Sequence, residues 1–303
     1  MSFSSEAKAE ICRDLPSKKC CTTAMCYGIL LYCNTFSSRE IRIITGNRAF
    51  SAVLPRLFKR AFGFGFDKIS EKNDEWTKQS FVIDTPDKIS AIFAKYGCES
   101  SSVLAHHVNL GVLEEDCCRL SFLKGVFLAG GSVTDPGKRY HFELVTDHKS
   151  VSRETYSLLL ELGFSPRETV RGAHSVVYFK QSDVISDILA LLGAPLASME
   201  VVSAKIEKDI MNSVNRKVNC DTANVRKTVD ASHQLVMAIN ALQKADKLTS
   251  LPEQLQETAR LRVENPEMSI SQLAEIHVPP VTKSCLNHRL RKISALAAEL
   301  SET

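Results

Sequence analysis

Two pairs of adjacent cysteines are the residues of this chain best suited to metal or redox chemistry. Cys20-Cys21 and Cys117-Cys118 are four of its ten cysteines, and four thiolates in one place could bind zinc or sense oxidation. However, neither pair has the C-x-x-C spacing of a zinc knuckle or thioredoxin motif, and adjacent cysteines seldom chelate one ion well. A buried free cysteine is also a common small apolar residue. The sequence therefore predicts free thiols in a reducing compartment and no metal site.

A glycine-rich segment, FLKGVFLAGGSVTDPGKRYHFELVTD (122–147), is a second candidate, because glycines that follow a strand can hold a phosphate. The spacing does not fit a P-loop. Five residues rather than four separate the two candidate glycines, and the following lysine precedes an arginine rather than a hydroxyl residue. The pattern predicts instead a helix over Leu120–Ala129, ended by Gly130-Gly131 and followed by a turn and a strand.

The last forty residues form a third candidate, two helices joined by a tight turn. Ser269 and Gln272 have the spacing of a capping box that begins the first helix, and Val278-Pro279-Pro280 ends it. Thr282 can cap the second helix, which is predicted to run to about Ala298. The pair has the dimensions of a helix-turn-helix unit.

The second of these helices has the side chains that a DNA major groove requires. Its apolar residues recur at spacings of four, three and four and form one core-facing stripe: Leu286, Leu290, Ile293 and Ala297. No acid occurs between Ile276 and Ala298. The other faces offer cations for phosphates and polar groups for base edges. The predicted DNA-binding residues are Thr282, Lys283, Ser284, Asn287, His288, Arg289, Arg291 and Lys292. A solvated basic face that binds no DNA is the alternative for this pattern.

The elements that position the cysteines and glycines are repeated over residues 1–200. CCTTAMCYGILLYCNTFS (20–37) aligns with CCRLSFLKGVFLAGGSVT (117–134), which places Gly28 on Gly125. Each segment is followed by a strand, a helix ending in Gly-Phe, a second strand and a helix with a terminal glycine. The predicted strands are 41–45, 81–84, 140–145 and 175–180, and the predicted helices are 54–64, 87–97, 156–164 and 183–193.

These repeats predict two copies of one α/β unit, paired about a pseudo-twofold axis and joined by a polar linker near 98–116. The central helices of the two copies would pack together. Close approach of two helices requires small residues one turn apart, which Gly125 and Ala129 would supply.

The central helices resemble a known motif. LKGVFLAGG resembles a degenerate LAGLIDADG motif of homing endonucleases, and CYGILLYCN (26–34) resembles a further degenerate copy. In active members, each motif has an acid at its eighth position, and the two carboxylates hold divalent metal for phosphodiester cleavage. The equivalent positions here are Cys33 and Gly130. The resemblance therefore implies the scaffold without its catalytic residues. A residual metal-dependent DNA endonuclease is the alternative, and the acids left for it are Asp135, Glu143 and Asp147.

The strand that follows the second motif alternates polar His141 and Glu143 with apolar residues, so one face of its sheet is predicted to be polar. The endonucleases grip DNA with that face. Here it is not notably basic, so the scaffold would bind DNA weakly or dock a protein.

Residues 214–232 (VNRKVNCDTANVRKTVDAS) and 279–293 (PPVTKSCLNHRLRKI) are similar to the WhiA family of bacterial regulators. The similarity extends over nearly the whole chain, although Cys285 replaces an expected glycine. It implies an α+β fold, a duplicated LAGLIDADG-like α/β domain with pseudo-twofold symmetry followed by an all-α helix-turn-helix domain. The expected division is a first half over 1–100, a second half over 101–200, a linker over 201–220 and the helix-turn-helix domain over 221–303.

The resemblance further implies a non-enzymatic, sequence-specific DNA-binding protein that regulates transcription in cell division, chromosome segregation or sporulation. The implied partners are double-stranded DNA and a second regulator or RNA polymerase, and no cofactor is implied. An interaction module whose basic helix binds protein is a further alternative. Four other cations either touch phosphates or are only surface charge: Arg216, Lys217, Arg226 and Lys227. His106-His107, in the linker, is expected to be solvated, with a metal-ligand role as the alternative.

Composition and charge limit the class of protein to which the chain can belong. The 303 residues are 44% apolar and 24% charged, as in soluble proteins of two or three domains. A formal charge of +3 means that a DNA-binding surface must be a local patch. The longest apolar run, Ala24–Cys33, is roughly half of what a bilayer requires. We expect a cytoplasmic protein, at the bacterial nucleoid, with no signal peptide and no membrane contact.

Overall fold

A computed structural model describes residues 2–70, 78–97 and 105–301. The chain divides into two compact units, Met1–Lys208 and Asp209–Thr303. Residues 98–104 of the predicted linker near 98–116 lie outside the described residues. Within the described ranges, each helix is too short or too polar to cross a bilayer.

The first unit begins with helix α1 (Phe3–Arg13) and then contains the same seven elements twice. The first copy is α2 Lys19–Leu31, β1 Thr35–Phe36, β2 Ile41–Thr45, α3 Arg48–Phe62, β3 Lys68–Ile69, β4 Gln79–Ile83 and α4 Pro86–Lys95. The second copy is α5 Asp116–Gly130, β5 Gly131–Val133, β6 Phe142–Thr146, α6 Lys149–Glu161, β7 Arg167–Arg171, β8 His174–Phe179 and α7 Ser182–Leu191. The predicted duplication is confirmed, but each copy has four strands instead of the two predicted.

Each copy forms one antiparallel sheet, with strand orders β1-β2-β4-β3 and β5-β6-β8-β7. Alternation along β6 places Phe142 and Leu144 in the core and leaves Glu143 half-buried on the other face. Glu143 pairs in register with Ser132 on one side and Tyr178 on the other, so these polar side chains share that face. The predicted polar face of the sheet is therefore present.

The central helices α2 and α5 touch through two glycines. A Cβ on Gly28 would lie 2.2 Å from the carbonyl oxygen of Phe122, and a Cβ on Gly125 would lie 2.0 Å from that of Met25. The paired cysteines Cys20-Cys21 and Cys117-Cys118 meet at the starts of the two helices, and Gly130 meets the Tyr32 side chain at their ends, so the helices are parallel. The predicted close approach of the other helix at Gly125 is therefore present, and Gly28 is the equivalent position in the first copy.

The chain continues as helix α8 (Pro195–Lys244), which contains the whole segment 201–220 predicted as a linker. The second unit adds α9 (Glu253–Glu264), α10 (Ile270–Glu275) and α11 (Lys283–Ser301). Arg262 on α9 is buried and donates a hydrogen bond of 2.8 Å to the carbonyl oxygen of Met268. This bond attaches α9 to the loop that leads into α10.

Candidate nucleic-acid interface

The start of α10 and the turn after it are fixed by short-range hydrogen bonds. Ser269 Oγ accepts from the backbone N–H of Gln272 at 3.3 Å, and Gln272 Oε1 accepts from the N–H of Ser269 at 3.0 Å. This confirms the predicted capping box. In the turn, the N–H of Val281 donates to the carbonyl oxygen of Ala274 at 3.1 Å. The turn thus folds back onto α10 and determines where α11 begins.

His277 anchors the same turn in the interior of the unit. It is only 3% exposed, and its Nε2 lies 3.1 Å from Thr258 Oγ1 on α9. Burial, followed by the positive charge of Arg289, lowers the pKa of His277. The imidazole is therefore a neutral structural group of this turn.

Helix α11 begins and packs as predicted. Thr282 Oγ1 accepts a hydrogen bond of 3.2 Å from the N–H of Cys285, which is the expected N-cap. The helix ends at Ser301, three residues beyond the predicted end. The predicted apolar stripe is buried in the cores formed with α8, α9 and α10: Leu286, Leu290, Ile293 and Ala297.

Most of the predicted DNA-binding residues surround the side of α11 that faces away from these cores. At about 100° per residue, Ser284, His288 and Arg291 lie opposite the buried stripe. Asn287 is half-buried on one flank. The exposed members of the predicted set are Thr282, Lys283, Ser284, His288, Arg291 and Lys292.

Arg289 does not join this group. It lies on the opposite flank from Asn287, and its guanidinium donates to Gln254 Oε1 on α9 at 3.2 Å. The structure therefore places Arg289 at the contact between α9 and α11 rather than on the exposed face.

The cations of the exposed face differ from those of α9 in their partners. Within the described residues, Lys283, Arg291 and Lys292 form no salt bridge. In contrast, Arg260 on α9 binds Glu257 at 2.8 Å and Glu264 at 3.0 Å. These three cations are thus unpaired on a stretch of α11 that contains no acid before Glu299.

The structure also distinguishes one cation among the four that the sequence left ambiguous. Lys227 on α8 lines a groove together with Ser271 and Lys283, at the start of α10 and α11. Arg216, Lys217 and Arg226 are exposed on α8 and do not line this groove. Sequence periodicity could not identify Lys227, because its neighbourhood depends on how α8 packs against α10 and α11.

The two positions that bear catalytic acids in homing endonucleases are closed, in the sense that each is packed against neighbouring atoms and holds no acid. Cys33 Sγ donates to the carbonyl oxygens of Leu30 and Thr35, both at 3.1 Å, and burial raises the pKa of this thiol to about 12. Gly130 is the last residue of α5. A Cβ there would lie 2.5 Å from the carbonyl oxygen of Val145 and 2.6 Å from Cδ1 of Tyr32. Neither position can supply a metal ligand of the carboxylate type.

The remaining acids of the second copy are engaged elsewhere. Asp135 Oδ1 accepts from the N–H of Gly137 at 2.8 Å in a turn, and Asp147 is paired with His174. Burial raises the pKa of Glu143, but hydrogen bonds from His141, Arg171 and Ser132 outweigh it and hold the pKa below its usual value. Within the described residues, none of the three acids belongs to a group of three or more metal-ligand side chains.

Acids also pair with three cations on the polar sheet faces. Arg42 binds Glu40 at 2.6 Å, Lys68 is paired with Asp84, and Arg171 binds Glu143 at 3.1 Å. A phosphate backbone would have to compete with these carboxylates. These three sheet cations are therefore less available to a phosphate than the unpaired cations of α11.

The linker histidines are not simply solvated. The half-buried His106 has its Nε2 2.7 Å from the carbonyl oxygen of Phe36, and its ring packs against His148 at 4.5 Å between ring centres. Burial lowers the pKa of both His106 and His148. His107 binds Glu154 at 2.8 Å. Both linker histidines thus hold the linker against the first unit.

Comparisons with known proteins agree with this architecture. The family model described as the WhiA LAGLIDADG-like domain matches residues 119–211, and that of the WhiA C-terminal HTH domain matches residues 214–297. The probable cell division protein WhiA of Alkaliphilus oremlandii is 33% identical over 318 residues, which cover 100% of this chain and 98% of the relative. The protein of that name in Ruminiclostridium cellulolyticum is 34% identical over 307 residues, covering 99% and 98%.

Solved structures show the same fold. The crystal structure of full-length DUF199/WhiA from Thermatoga maritima superposes with a TM-score of 0.60 at 22% identity, over 99% of each chain. The crystal structure of the N-terminal LAGLIDADG domain of DUF199/WhiA has a TM-score of 0.50 at 18% identity, over 63% of this chain and 90% of that one. The expected fold class, a LAGLIDADG-like domain followed by a helix-turn-helix domain, is confirmed.

Proposed function

This chain belongs to the WhiA family, and from that premise we propose that it is a non-enzymatic, sequence-specific DNA-binding regulator of transcription with a role in cell division. The process is suggested by the relatives named probable cell division protein WhiA. Chromosome segregation and sporulation are the related processes that the proposal includes. Double-stranded DNA is the main ligand, at the nucleoid in the cytoplasm. A second regulator or RNA polymerase is the protein partner.

The observation that carries the proposal is the exposed face of α11. It presents three cations without a salt bridge in the described part of the chain, on a helix whose opposite side is fixed in two apolar cores. Such a face can enter a major groove without first breaking an internal ion pair. Phosphate contacts then provide affinity, while amide, hydroxyl and imidazole groups distinguish bases.

Roles can be proposed for individual residues from their positions on the helix. Ser284, His288 and Arg291 lie opposite the core and would contact base edges, with Asn287 beside them. Lys283, Lys292 and the N-cap Thr282 would contact phosphates, and Lys227 would add a phosphate contact from α8. Arg289 would orient α11 through Gln254 rather than touch DNA.

The proposal that the chain is not a nuclease rests on the closed positions at Cys33 and Gly130. Phosphodiester cleavage by two metal ions requires carboxylate ligands close to the scissile phosphate. A thiol whose pKa is raised to about 12, and a glycine without room for a Cβ, supply none. The first unit would then support DNA binding or dock a protein.

Binding of the full-length protein to a mixed pool of duplexes, measured by fluorescence anisotropy at several salt concentrations, tests the proposal. The log of the affinity should fall linearly with log salt, and Arg291→Ala should weaken binding. Arg260→Ala is the matched control, because it also removes one exposed cation but one that is already paired with two acids. An affinity that ignores both salt and Arg291→Ala would contradict DNA binding through α11 and favour a protein-binding helix.

A further inference from the structure

The four paired cysteines meet at one point in the first unit. The Sγ atoms of Cys20, Cys21, Cys117 and Cys118 all lie within 4.8 Å of one another. Those of Cys20 and Cys21 are 3.9 Å apart. Across the helices, Cys20 interacts with Cys118 and Cys21 interacts with Cys117. Because Cys20 corresponds to Cys117 and Cys21 to Cys118 in the repeat, the two cross-helix pairs are related by the pseudo-twofold symmetry.

This arrangement matches the size of a tetrathiolate metal site. With Zn–S bonds of about 2.3 Å, the sulfurs of a tetrahedral site are roughly 3.8 Å apart. The sulfurs of Cys20 and Cys21 are already near this separation. Closing the longest separation, at most 4.8 Å, requires about 1 Å, which small side-chain rotations can supply. We propose that Cys20, Cys21, Cys117 and Cys118 bind one zinc ion, which joins the beginnings of α2 and α5.

The position of the cysteines at two helix starts favours thiolates, whereas burial raises the pKa of Cys21 and Cys118. The four cysteines are the second and third residues of α2 and α5, where backbone N–H groups lack helical partners and the helix dipole attracts negative charge. Because α2 and α5 are parallel, two positive helix ends lie side by side. The first turn of α2 contains no acid, whereas that of α5 contains Asp116. The net negative charge of four thiolates around one divalent cation would interact favourably with both helix starts.

The cluster is separate from the metal site of the endonucleases. Cys20 and Cys33 are near opposite ends of the same helix, and thirteen residues at 1.5 Å each place them about 20 Å apart. Four protein sulfurs also leave no open position for a water or a phosphate. The proposed ion is therefore structural. It would hold the two repeat copies together at the end of their interface that is remote from Cys33 and Gly130.

The site is unusual within the described residues. No other group of three or more histidine, cysteine, aspartate or glutamate side chains there is close enough to hold an ion. Other cysteines, such as Cys12 and Cys26, are buried singly among apolar residues. The paired cysteines differ from these two in that their sulfurs lie next to other sulfurs.

Metal analysis of the full-length protein, purified under reducing conditions without chelator, tests the proposal. We expect one zinc per chain by inductively coupled plasma mass spectrometry. After exchange with Co²⁺, we expect the intense visible bands of tetrahedral cobalt and sulfur-to-cobalt charge transfer in the near ultraviolet. The double variant Cys20→Ser, Cys118→Ser should lose both. The control Cys220→Ser, Cys285→Ser removes two exposed thiols outside the cluster and should keep both.

Several outcomes would overturn the proposal. These are a wild-type protein that contains no zinc and shows no cobalt–thiolate bands, cross-helix disulfides in the reduced preparation, an iron–sulfur chromophore, or full zinc content in the cluster variant. If the double variant does not fold, the single variant Cys20→Ser is used, because this side chain is exposed and serine replaces it without packing loss. A reduction of zinc affinity of at least tenfold is then expected, and an unchanged affinity would contradict the site.

Discussion

Replacing Gly125 by alanine tests whether close packing of the central helices holds the two repeat copies together. The added Cβ would lie 2.0 Å from the carbonyl oxygen of Met25 and 3.0 Å from the amide nitrogen of Ile29. Both atoms belong to the backbone of α2, so no side-chain rotation can remove the clash. The two helices would have to move apart.

The size of that movement gives the magnitude of the effect. Real Cβ contacts are essentially never below 3.0 Å, so the helices must separate by at least 1.0 Å at this point. A gap of 0.5–1 Å already removes a quarter to a half of the dispersion energy between facing atoms. Overpacking typically costs about 1–3 kcal/mol, and a backbone-to-backbone clash belongs at the upper end. For a unit of this size, about 3 kcal/mol corresponds to a lower Tm by roughly 6–12 °C.

Scanning calorimetry and urea unfolding followed by circular dichroism measure this effect in the full-length protein. Gly65→Ala is the matched control, because nothing lies within 4 Å of its added Cβ. That variant should melt near the wild-type temperature or slightly above it, since alanine reduces the entropy of the unfolded chain. A Gly125→Ala protein that melts with the wild type would refute close packing of α2 against α5.

Three further predictions concern the site and its scaffold. Asn287→Ala should relax base preference at one or two positions of the DNA site. Lys292→Ala should instead lower the affinity for all DNA sequences alike and reduce the slope of log affinity against log salt by about one. Equal effects of the two variants in anisotropy titrations would contradict the proposed roles. Gly130→Asp should lower the Tm without restoring Mg²⁺-dependent nicking of plasmid DNA, because its Cβ clashes with backbone; nicking by this variant would contradict the assignment of a closed site. Burial lowers the folded-state pKa of His106 and His148. The free energy of unfolding should therefore have its full value above the unfolded-state pKa of about 6.5 and decrease as the pH falls below it. A urea midpoint that is the same at every pH from 7.5 to 5.5 would contradict the lowered pKa values.

The helix-turn-helix part of the site was predictable because its signals are local. The capping box at Ser269, the cap at Thr282 and the apolar stripe on α11 depend only on residues within one or two turns of each other. The duplication was predictable for a related reason, since strands β2, β4, β6 and β8 each have a buried, apolar side.

The sequence did not predict the short strands or the neighbours of particular side chains. Strands β1 and β3 have two residues each, too few for any periodicity, and all five residues of β7 are exposed. The contact of Arg289 with Gln254 depends on how α9 packs against α11. The meeting of the cysteine pairs depends likewise on the parallel packing of α2 and α5.

Selection of binding sites from randomised duplexes tests the central claim, that α11 reads DNA sequence, most directly. Full-length wild type and the double variant Asn287→Ala, Arg291→Ala are compared at two salt concentrations, with Arg260→Ala as the control. We predict that the wild type and the control enrich the same sequence and that the double variant loses that preference while it keeps a weaker, salt-dependent affinity. Enrichment of the wild-type sequence by the double variant would contradict the claim and assign sequence recognition to the LAGLIDADG-like unit.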